Sequence, residues 1–214
     1  MIHVLRAGSD LVAVAADVIA RELNARLALH AHTSVAFSGG RTPRPIFERL
    51  SEAKVPWAAV DVFQVDERVA PLGSPDRNLT GLADTLLEQV PARAHPMPVD
   101  APDLEAAARW YASELPPSLD VVHLGLGDDG HTASLVPHDA GLLIEHQRVA
   151  ITDPYRGHRR MTLTRPVLDG AGLIVWVVSG SDKAEMVERL IAGDTTIPAG
   201  LISQERAVLI TDAV

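Results

Sequence analysis

The sequence predicts an α/β fold with a mostly parallel sheet, helices on both faces and a single domain over residues 1–214. Short runs rich in Val, Ile and Leu alternate with longer stretches whose apolar residues recur at helical spacing. Such alternation is typical of a parallel sheet that is covered on both faces. Several predicted strands also end in a polar loop that contains glycine, at the edge where α/β folds bind ligands.

Each element can be assigned in chain order. Seven segments are predicted to be buried strands: residues 2–6, 33–38, 60–67, 119–127, 148–153, 173–180 and 207–212. Five segments have helical spacing of Ala, Leu, Val and Ile: residues 9–30, 42–51, 78–89, 103–115 and 182–192. Proline is frequent between residues 91 and 117, so we expect a loop-rich connection there and not a domain boundary.

The composition excludes several classes of function. Lys and Arg total 19 against 28 Asp and Glu, and the formal net charge of -9 disfavours partners such as nucleic acid and anionic membranes. An anionic ligand would therefore need a local basic cluster. The chain has no cysteine, which excludes disulfides, thiolate metal sites and cysteine nucleophiles. No targeting or membrane segment is visible, and we expect an intracellular protein.

Four polar loops follow predicted strands: "SGGRTP", "VDERVAP", "GLGDDGH" and "SGSDK". Because the carboxyl ends of parallel strands meet at one edge of the sheet, these loops are expected to converge on one site. In the first loop, Thr42 and Pro43 are typical of a helix start, and Gly39 and Gly40 would let a phosphate approach the free N–H groups. An ordinary glycine turn capped by Thr42 is the alternative, and the P-loop pattern is absent.

The second loop carries Asp66, Glu67 and Arg68 at a strand end. Such a charged triplet is more often a solvated turn than a site, although a strand end favours function. Further along, Asn78 in "PDRN" could contact a ligand, but its position before a helical segment favours a helix cap.

The third loop contains Gly125, Gly127 and Gly130 at the spacing of a dinucleotide-binding fingerprint. Two acidic residues occupy the loop where a pyrophosphate would need donors, and a proline follows too soon for a long helix. Glu145 also lies before the next strand instead of at its end, which is the wrong place for a ribose-binding acid. The spacing of the glycines is therefore not interpreted as a nucleotide site.

Asp129 and His131 in the same loop suggest acid–base chemistry. Histidine titrates near neutral pH and can accept a proton from water, and a nearby carboxylate can fix its tautomer. Metal ligation is not predicted, because His131, His138 and Asp139 match no compact ligand pattern. A serine hydrolase is disfavoured too, because neither Ser38 nor Ser134 stands in a G-x-S-x-G elbow. Arg159, Arg160 and Lys183 are candidates for neutralising a phosphate.

Taken in order, "SGGRTP", "VDERV", "PDRN", "GLGDDGHTASLVP", "RRMTLT" and "SGSDK" resemble the 6-phosphogluconolactonase family, which is related to the glucosamine-6-phosphate deaminase/isomerases. The resemblance covers nearly the whole chain. It implies a Rossmann-like cytoplasmic enzyme of the pentose phosphate pathway that hydrolyses 6-phospho-D-glucono-1,5-lactone without a cofactor. It also implies a small-molecule sugar-phosphate lactone as the partner, and we expect a monomer or a weak homodimer.

The matching positions separate this chain from the deaminase branch. There the histidine is followed by a segment that ends Asn-Glu-Pro, whereas this chain has Leu135, Val136 and Pro137. That branch also has Asp-Glu-Tyr where Arg68 completes the triplet here. Three features depart from the lactonase pattern: Arg41 replaces a small residue, "PDRN" stands where Ser-Asn is expected, and the chain is short.

The resemblance assigns roles to the candidate residues as a hypothesis. The catalytic group is His131 as general base, Asp129 to orient it, Arg68 or a loop N–H as the oxyanion donor, and Asp66 without an assigned step. The phosphate and substrate group is expected to be Ser38, Gly39, Gly40, Arg41, Thr42, Asn78, Arg160 and Lys183. No metal is assigned.

Overall fold

The protein, described here from a computed structural model over residues 1–213, is built on a seven-stranded sheet in which every neighbouring pair is parallel. The strand order is β1-β10-β9-β6-β2-β3-β5. The ten strands of the described chain are β1 His3–Arg6, β2 Thr33–Phe37, β3 Val60–Gln64, β4 Asp66–Arg68, β5 Arg93–His95, β6 Val121–Leu124, β7 Val149–Ile151, β8 Arg160–Leu163, β9 Leu173–Val178 and β10 Ala207–Thr211.

Helices cover both faces of this sheet. The α-helices are α1 Leu11–Leu27, α2 Pro43–Ser51, α3 Asn78–Leu82, α4 Leu104–Glu114, α5 Arg165–Asp169 and α6 Ala184–Ile191. One face buries Ile19 of α1 and Phe47 of α2, and the other buries Tyr111 of α4 and Val187 of α6. Each helix hides its apolar stripe against strands that are apolar on both sides, as buried parallel strands require. The prediction of a Rossmann-like, mostly parallel sheet with helices on both faces is confirmed.

A second, antiparallel sheet of three strands, in the order β4-β8-β7, stands beside the first. The segment 60–67, predicted as one strand, is therefore two strands in different sheets, and that single-strand prediction is wrong. The chain changes sheets at Val65, whose N–H donates to Phe37 O (3.0 Å) and whose O accepts from Leu163 N (2.8 Å). The segment 148–153 is a strand as predicted, but it lies in this antiparallel sheet.

Two strands were not predicted. β5 lies in the proline-rich stretch and is a short strand at the edge of the large sheet. For β8 the sequence indicates only basic residues that could contact a phosphate, although all four residues of the strand are buried. The predicted helix 78–89 is α3 followed by a π-helical turn, Ala83–Leu87. The carboxyl ends of β2, β6 and β9 still meet at one edge, next to β4 and β8.

None of the helices among residues 1–213 is both long and apolar enough to cross a bilayer.

Candidate active site

A cavity of about 420 Å³ opens at the carboxyl edge of the large sheet, where the loops after β2, β6 and β9 meet β4 and β8. Of the twelve predicted site residues, eleven line it: Ser38, Gly39, Gly40, Arg41, Thr42, Asp66, Arg68, Asn78, His131, Arg160 and Lys183. The twelfth, Asp129, contacts His131. The structure thus brings together all twelve predicted site residues, while their chemical roles stay predictions.

The loop between β2 and α2 forms one wall of the cavity. Pro43 occupies the first turn of α2 as predicted, but Thr42 makes no side-chain capping hydrogen bond, so that part of the prediction is wrong. A Cβ on Gly39 would lie 2.2 Å from Asn78 Oδ1, and Gly40 has φ +121°, a conformation that favours glycine. Both glycines are needed for the path of this loop. The hydroxyls of Ser38 and Thr42 make no capping hydrogen bond to α2.

Asn78 is not a helix cap, which corrects the sequence interpretation. It is the first residue of α3, and Arg77 occupies the cap position. Its Nδ2 donates to Asp66 O (2.9 Å) and to Asp66 Oδ1 (3.2 Å), while its buried Oδ1 has no partner among the described residues. Asn78 therefore ties α3 to β4 and presents a free acceptor at the cavity.

Glu67 organises this wall from below, a role that the sequence did not reveal. Its fully buried carboxylate accepts the backbone N–H groups of Arg68, Asn78 and Leu79 and forms an ion pair with Arg77 (3.1 Å). A buried carboxylate with this many donors is a rigid anchor. In the sequence, Glu67 looks like its neighbour Asp66, and no local signal separates an anchor from a ligand-facing acid.

Asp66 faces the cavity beside Ser134. Ser134 Oγ donates to Asp66 Oδ2 (2.6 Å), and Arg160 Nη1 lies 3.9 Å from the same carboxylate. Burial raises the pKa of Asp66, and the hydrogen bond from Ser134 and the charge of Arg160 oppose that rise. Ser134 is fully buried and its hydroxyl is committed to Asp66, so it is a positioning residue.

Two arginines face each other across the antiparallel sheet. Arg68 of β4 pairs directly with Arg160 of β8 in the register. Like charges at opposed positions repel, and the Nε atoms of both side chains are buried without a partner in the described chain. Arg160 is buried, whereas Arg159 is exposed and lies outside the cavity lining. The arrangement favours an anionic ligand and assigns Arg160, not Arg159, to the cavity.

The cavity is lined by more positive than negative side chains, whereas the chain as a whole has a net negative charge. Five cations line it, Arg41, Arg68, Arg156, Arg160 and Lys183, against three carboxylates, Asp66, Asp128 and Asp182. The whole chain carries a net charge of -9. The local basic cluster that an anionic ligand needs is therefore present.

His131, Asp129 and Tyr155 form a hydrogen-bonded row, of which His131 lines the cavity. His131 Nδ1 lies 2.5 Å from Asp129 Oδ1, and Tyr155 Oη donates to Asp129 Oδ2 (2.8 Å). Because a carboxylate only accepts, Nδ1 carries the proton and Nε2 is free to act as a base. Partial burial raises the pKa of Asp129, but the hydrogen bonds from His131 and Tyr155 outweigh it and hold that pKa at about 2. Tyr155 was missed in the sequence.

Tyr155→Phe should lower kcat about 3- to 10-fold and leave KM nearly unchanged, since one hydrogen bond to the orienting carboxylate is lost. The pKa of Asp129 should rise from about 2 towards its ordinary value. This hydrogen bond stabilises the fold above the unfolded-state pKa of about 3.9 and stops doing so as the pH falls to about 2. Kinetics together with a ¹³C NMR titration of the aspartates measures both effects. An unchanged Asp129 titration contradicts the assignment.

The glycines of the loop after β6 are explained by close packing. A Cβ on Gly127 would lie 2.0 Å from His131 Nδ1. Gly130 has φ +81°, and a Cβ there would lie 2.6 Å from Ile197. Gly127 gives room to the histidine ring and Gly130 lets the turn pack on a neighbouring segment, so two of the three fingerprint glycines have structural causes unrelated to a nucleotide.

Asp128, Asp129 and His131 place three possible ligand atoms within 4.8 Å of one another, the geometry of a potential metal group. These donors already have partners, because Asp128 forms an ion pair with Arg156 (2.5 Å) and Asp129 accepts from His131 and Tyr155. The three side chains lie close together because of these pairs, and we assign no metal to them.

Unpaired polar atoms concentrate in the cavity. Among the described residues, seven buried side-chain N or O atoms have no hydrogen-bond partner, and five of them belong to cavity residues: Ser38, Arg68, Asn78, His123 and Arg160. Buried polar groups without partners are rare and costly unless a ligand supplies the partner. The cavity is therefore built for a small polar ligand, and its fold and charges define an α/β enzyme that binds a small anionic molecule.

The comparisons with known proteins name that class. The profile of the family described as "Glucosamine-6-phosphate isomerases/6-phosphogluconolactonase" matches residues 6–211, and the chain belongs to this family. The 6-phosphogluconolactonase of Pseudomonas putida is 36% identical, with 90% of this chain and 84% of the relative covered. That of a Nostoc species is 30% identical over 97% of this chain and 93% of the relative. The predicted family resemblance and the prediction of an enzyme are confirmed.

Solved structures agree on the fold. The 6-phosphogluconolactonase of Thermotoga maritima has a TM-score of 0.89 and 26% identity, covering 99% of this chain and 98% of its own. A monomeric glucosamine-6-phosphate deaminase has a TM-score of 0.86 at 18% identity, which shows the shared fold alone. At the positions where the deaminase branch has its Asn-Glu pair, this chain buries Leu135 and Val136, which offer no carboxylate.

Proposed function

We propose that this enzyme hydrolyses 6-phospho-D-glucono-1,5-lactone to 6-phospho-D-gluconate in the oxidative pentose phosphate pathway. The observation that carries the proposal is one cavity lined by an oriented histidine, by a glycine loop and by arginines. A sugar phosphate needs both the histidine and the anion-binding groups, because its phosphate must be held while the ring carbon reacts. A cytoplasmic location and a monomeric or weakly dimeric state are part of the same proposal.

The phosphate end consists of the loop Ser38–Thr42 with Arg160 and Lys183. Loop N–H groups and hydroxyls supply donors, and the cations neutralise the charge of the ligand. Lys183 stands at the start of α6, beside the carboxyl end of β9, and lines the cavity. Anchoring the remote phosphate would orient the lactone carbonyl, so binding energy at one end is used to position the reacting carbon at the other.

In the hydrolytic step, His131 acts first as a general base and then as a general acid. Nε2 takes a proton from a water molecule, and the water oxygen forms a bond to C1 of the lactone while the carbonyl electron pair moves to oxygen. Arg68 is the proposed donor to that oxyanion. When the carbonyl re-forms, the bond between C1 and the ring oxygen breaks, and protonated His131 gives its proton to the leaving oxygen. The products are the open-chain acid and, after ionisation, one proton.

Two carboxylates support this step. Asp129 keeps the proton on His131 Nδ1 and stabilises the imidazolium when Nε2 is protonated. Asp66 is held by Ser134 and Asn78 within 3.9 Å of Arg160, so we assign it to the placement of the arginines at the cavity.

Lys183→Ala should raise the KM for the lactone and the inhibition constant of free phosphate by about 10-fold, with kcat changed far less, because it removes binding of a part that does not react. Steady-state kinetics with phosphate as inhibitor measures both constants. Arg159→Ala, which removes an exposed cation outside the cavity, is the control and should leave both constants as they are. Unchanged constants in Lys183→Ala would remove Lys183 from the anion site.

The decisive assay follows proton release from freshly generated 6-phosphogluconolactone, corrected for spontaneous hydrolysis, with and without the enzyme. We expect a rate proportional to enzyme concentration. Glucosamine 6-phosphate serves as the competing substrate, and release of ammonia from it without acceleration of lactone hydrolysis would overturn the proposal.

A further inference from the structure

His123 is a cavity residue to which neither the sequence pattern nor the proposed mechanism assigns a role. It lies on β6 and pairs with Phe37 of β2. Phe37 is the last residue before the loop that starts at Ser38. Ser38 N donates to His123 O (3.2 Å). The side chain is 2% exposed and lines the cavity. His123 is thus part of the cavity floor, next to the Ser38–Thr42 loop.

The surroundings of the ring do not explain why a histidine occupies this position. The ring centroid is 6.1 Å from the centroids of both Phe37 and Phe47. An apolar side chain would suit these neighbours better, because the buried Nδ1 has no hydrogen-bond partner among residues 1–213. An unpaired buried polar atom costs free energy that a ligand could recover by bonding to it.

Burial lowers the pKa of His123 to about 4, so the imidazole is neutral at neutral pH. A neutral imidazole has one N–H donor and one acceptor nitrogen. It can therefore donate to an anion without adding another positive charge to a cavity where Arg68 and Arg160 already repel each other.

We propose that His123 is a ligand-binding residue that hydrogen-bonds, through Nδ1, a phosphate oxygen of the ligand held by the Ser38–Thr42 loop. The identity of the ligand rests on the proposed function, and the contact itself rests on the position of His123. The same contact should form with inorganic phosphate, the smallest ligand that shares this chemistry.

The test compares His123→Leu, which removes both ring nitrogens, with His123→Asn, which keeps a donor near the position of Nδ1. Calorimetry with inorganic phosphate should show a Kd about 10- to 100-fold higher for His123→Leu, the range for one hydrogen bond to a charged group. His123→Asn should recover most of that loss. For the lactone, KM should rise in parallel in His123→Leu and kcat should change little.

His95→Leu is the matched control. His95 stacks on Phe63 with 4.3 Å between ring centroids and lies on edge strand β5, outside the cavity lining. Its replacement removes a histidine from an aromatic contact in the same sheet and should leave the phosphate Kd unchanged. A His123→Leu protein that keeps its fold and its phosphate Kd would overturn the proposal.

A measurement on the unmodified protein covers the case in which the variants fail to fold. In ¹⁵N-histidine-labelled enzyme, the ring of His123 is identified as one that stays neutral down to about pH 5.5, given its pKa of about 4. Inorganic phosphate should shift its Nδ1 resonance, and no shift at saturating phosphate would refute the contact. Phosphate binding is read without turnover, so a failure of lactone hydrolysis and a failure of the His123 contact are seen separately.

Discussion

His131→Asn should lower kcat for lactone hydrolysis by about 10²- to 10⁴-fold, the usual contribution of a general base. Asn has no basic nitrogen that could accept a proton from water, whereas its amide fills part of the space of the ring and can still contact Asp129. The phosphate end of the cavity is formed by other segments, so the affinity for inorganic phosphate should stay within about 2-fold. Stopped-flow proton release and phosphate calorimetry measure the two quantities.

His158→Asn is the control for this loss. His158 also lies near a carboxylate, 3.7 Å from Asp76, but it does not line the cavity. Its replacement should leave kcat unchanged. Near-normal turnover in His131→Asn would show that the water is activated elsewhere and would remove His131 from the proposed mechanism.

Gly127→Ala should abolish most of the activity, by about 100-fold or more, although the substitution adds a single methyl group. The new Cβ would lie 2.0 Å from His131 Nδ1, so the ring must move and its hydrogen bond to Asp129 must break. A displacement of about 1 Å at a reacting group is enough for losses of this size. The forced contact should also destabilise the fold by about 1–3 kcal/mol. Kinetics and thermal unfolding measure the two effects.

The double variant Gly127→Ala with His131→Ala separates the two causes. Removing the ring gives the added methyl group room, so the stability lost in Gly127→Ala should return in the double variant while activity stays lost. Additive stability losses would mean that the strain has another source. Full activity and unchanged stability in Gly127→Ala would contradict the described position of His131.

The sequence predicted the large sheet well because its strands carry long apolar runs with glycine-containing loops at one edge. Those loops supply ten of the twelve candidate site residues, and Asn78 and Arg160 come from other segments that the fold brings to the same cavity. What the sequence could not show depends on contacts between distant segments. Tyr155 reaches Asp129 only because the chain returns beside the loop after β6, and Ser134 of that loop reaches Asp66 of β4 although 68 residues separate them.

The second sheet was hidden for the same reason. β4 is three residues long, consists of the charged residues Asp66, Glu67 and Arg68, and follows β3 after Val65 alone, so no periodicity marks the change of sheet. β8 begins with Arg160, and its pairing with β4 is visible only in three dimensions. The sequence favours a solvated turn at Glu67, because its burial depends on α3, whose first N–H groups donate to its carboxylate. The pattern of residue types fixes neither of these long-range arrangements.

The N–H of Val65 donates to Phe37 O, and the carbonyl of Val65 accepts from Leu163 N. Val65 therefore belongs to the hydrogen-bonding ladders of both sheets. Main-chain hydrogen bonds therefore join the wall that carries Arg68 and Arg160 to the strand that leads into the glycine loop. Because every residue except proline supplies the N–H and the carbonyl of these bonds, the bonds do not depend on the side chains that line the cavity, and the spacing of the two walls is kept when those side chains change. Such a scaffold can acquire new chemistry by exchanging lining residues while the span it offers a ligand stays constant, which is one physical route by which related enzymes on one fold come to catalyse different reactions.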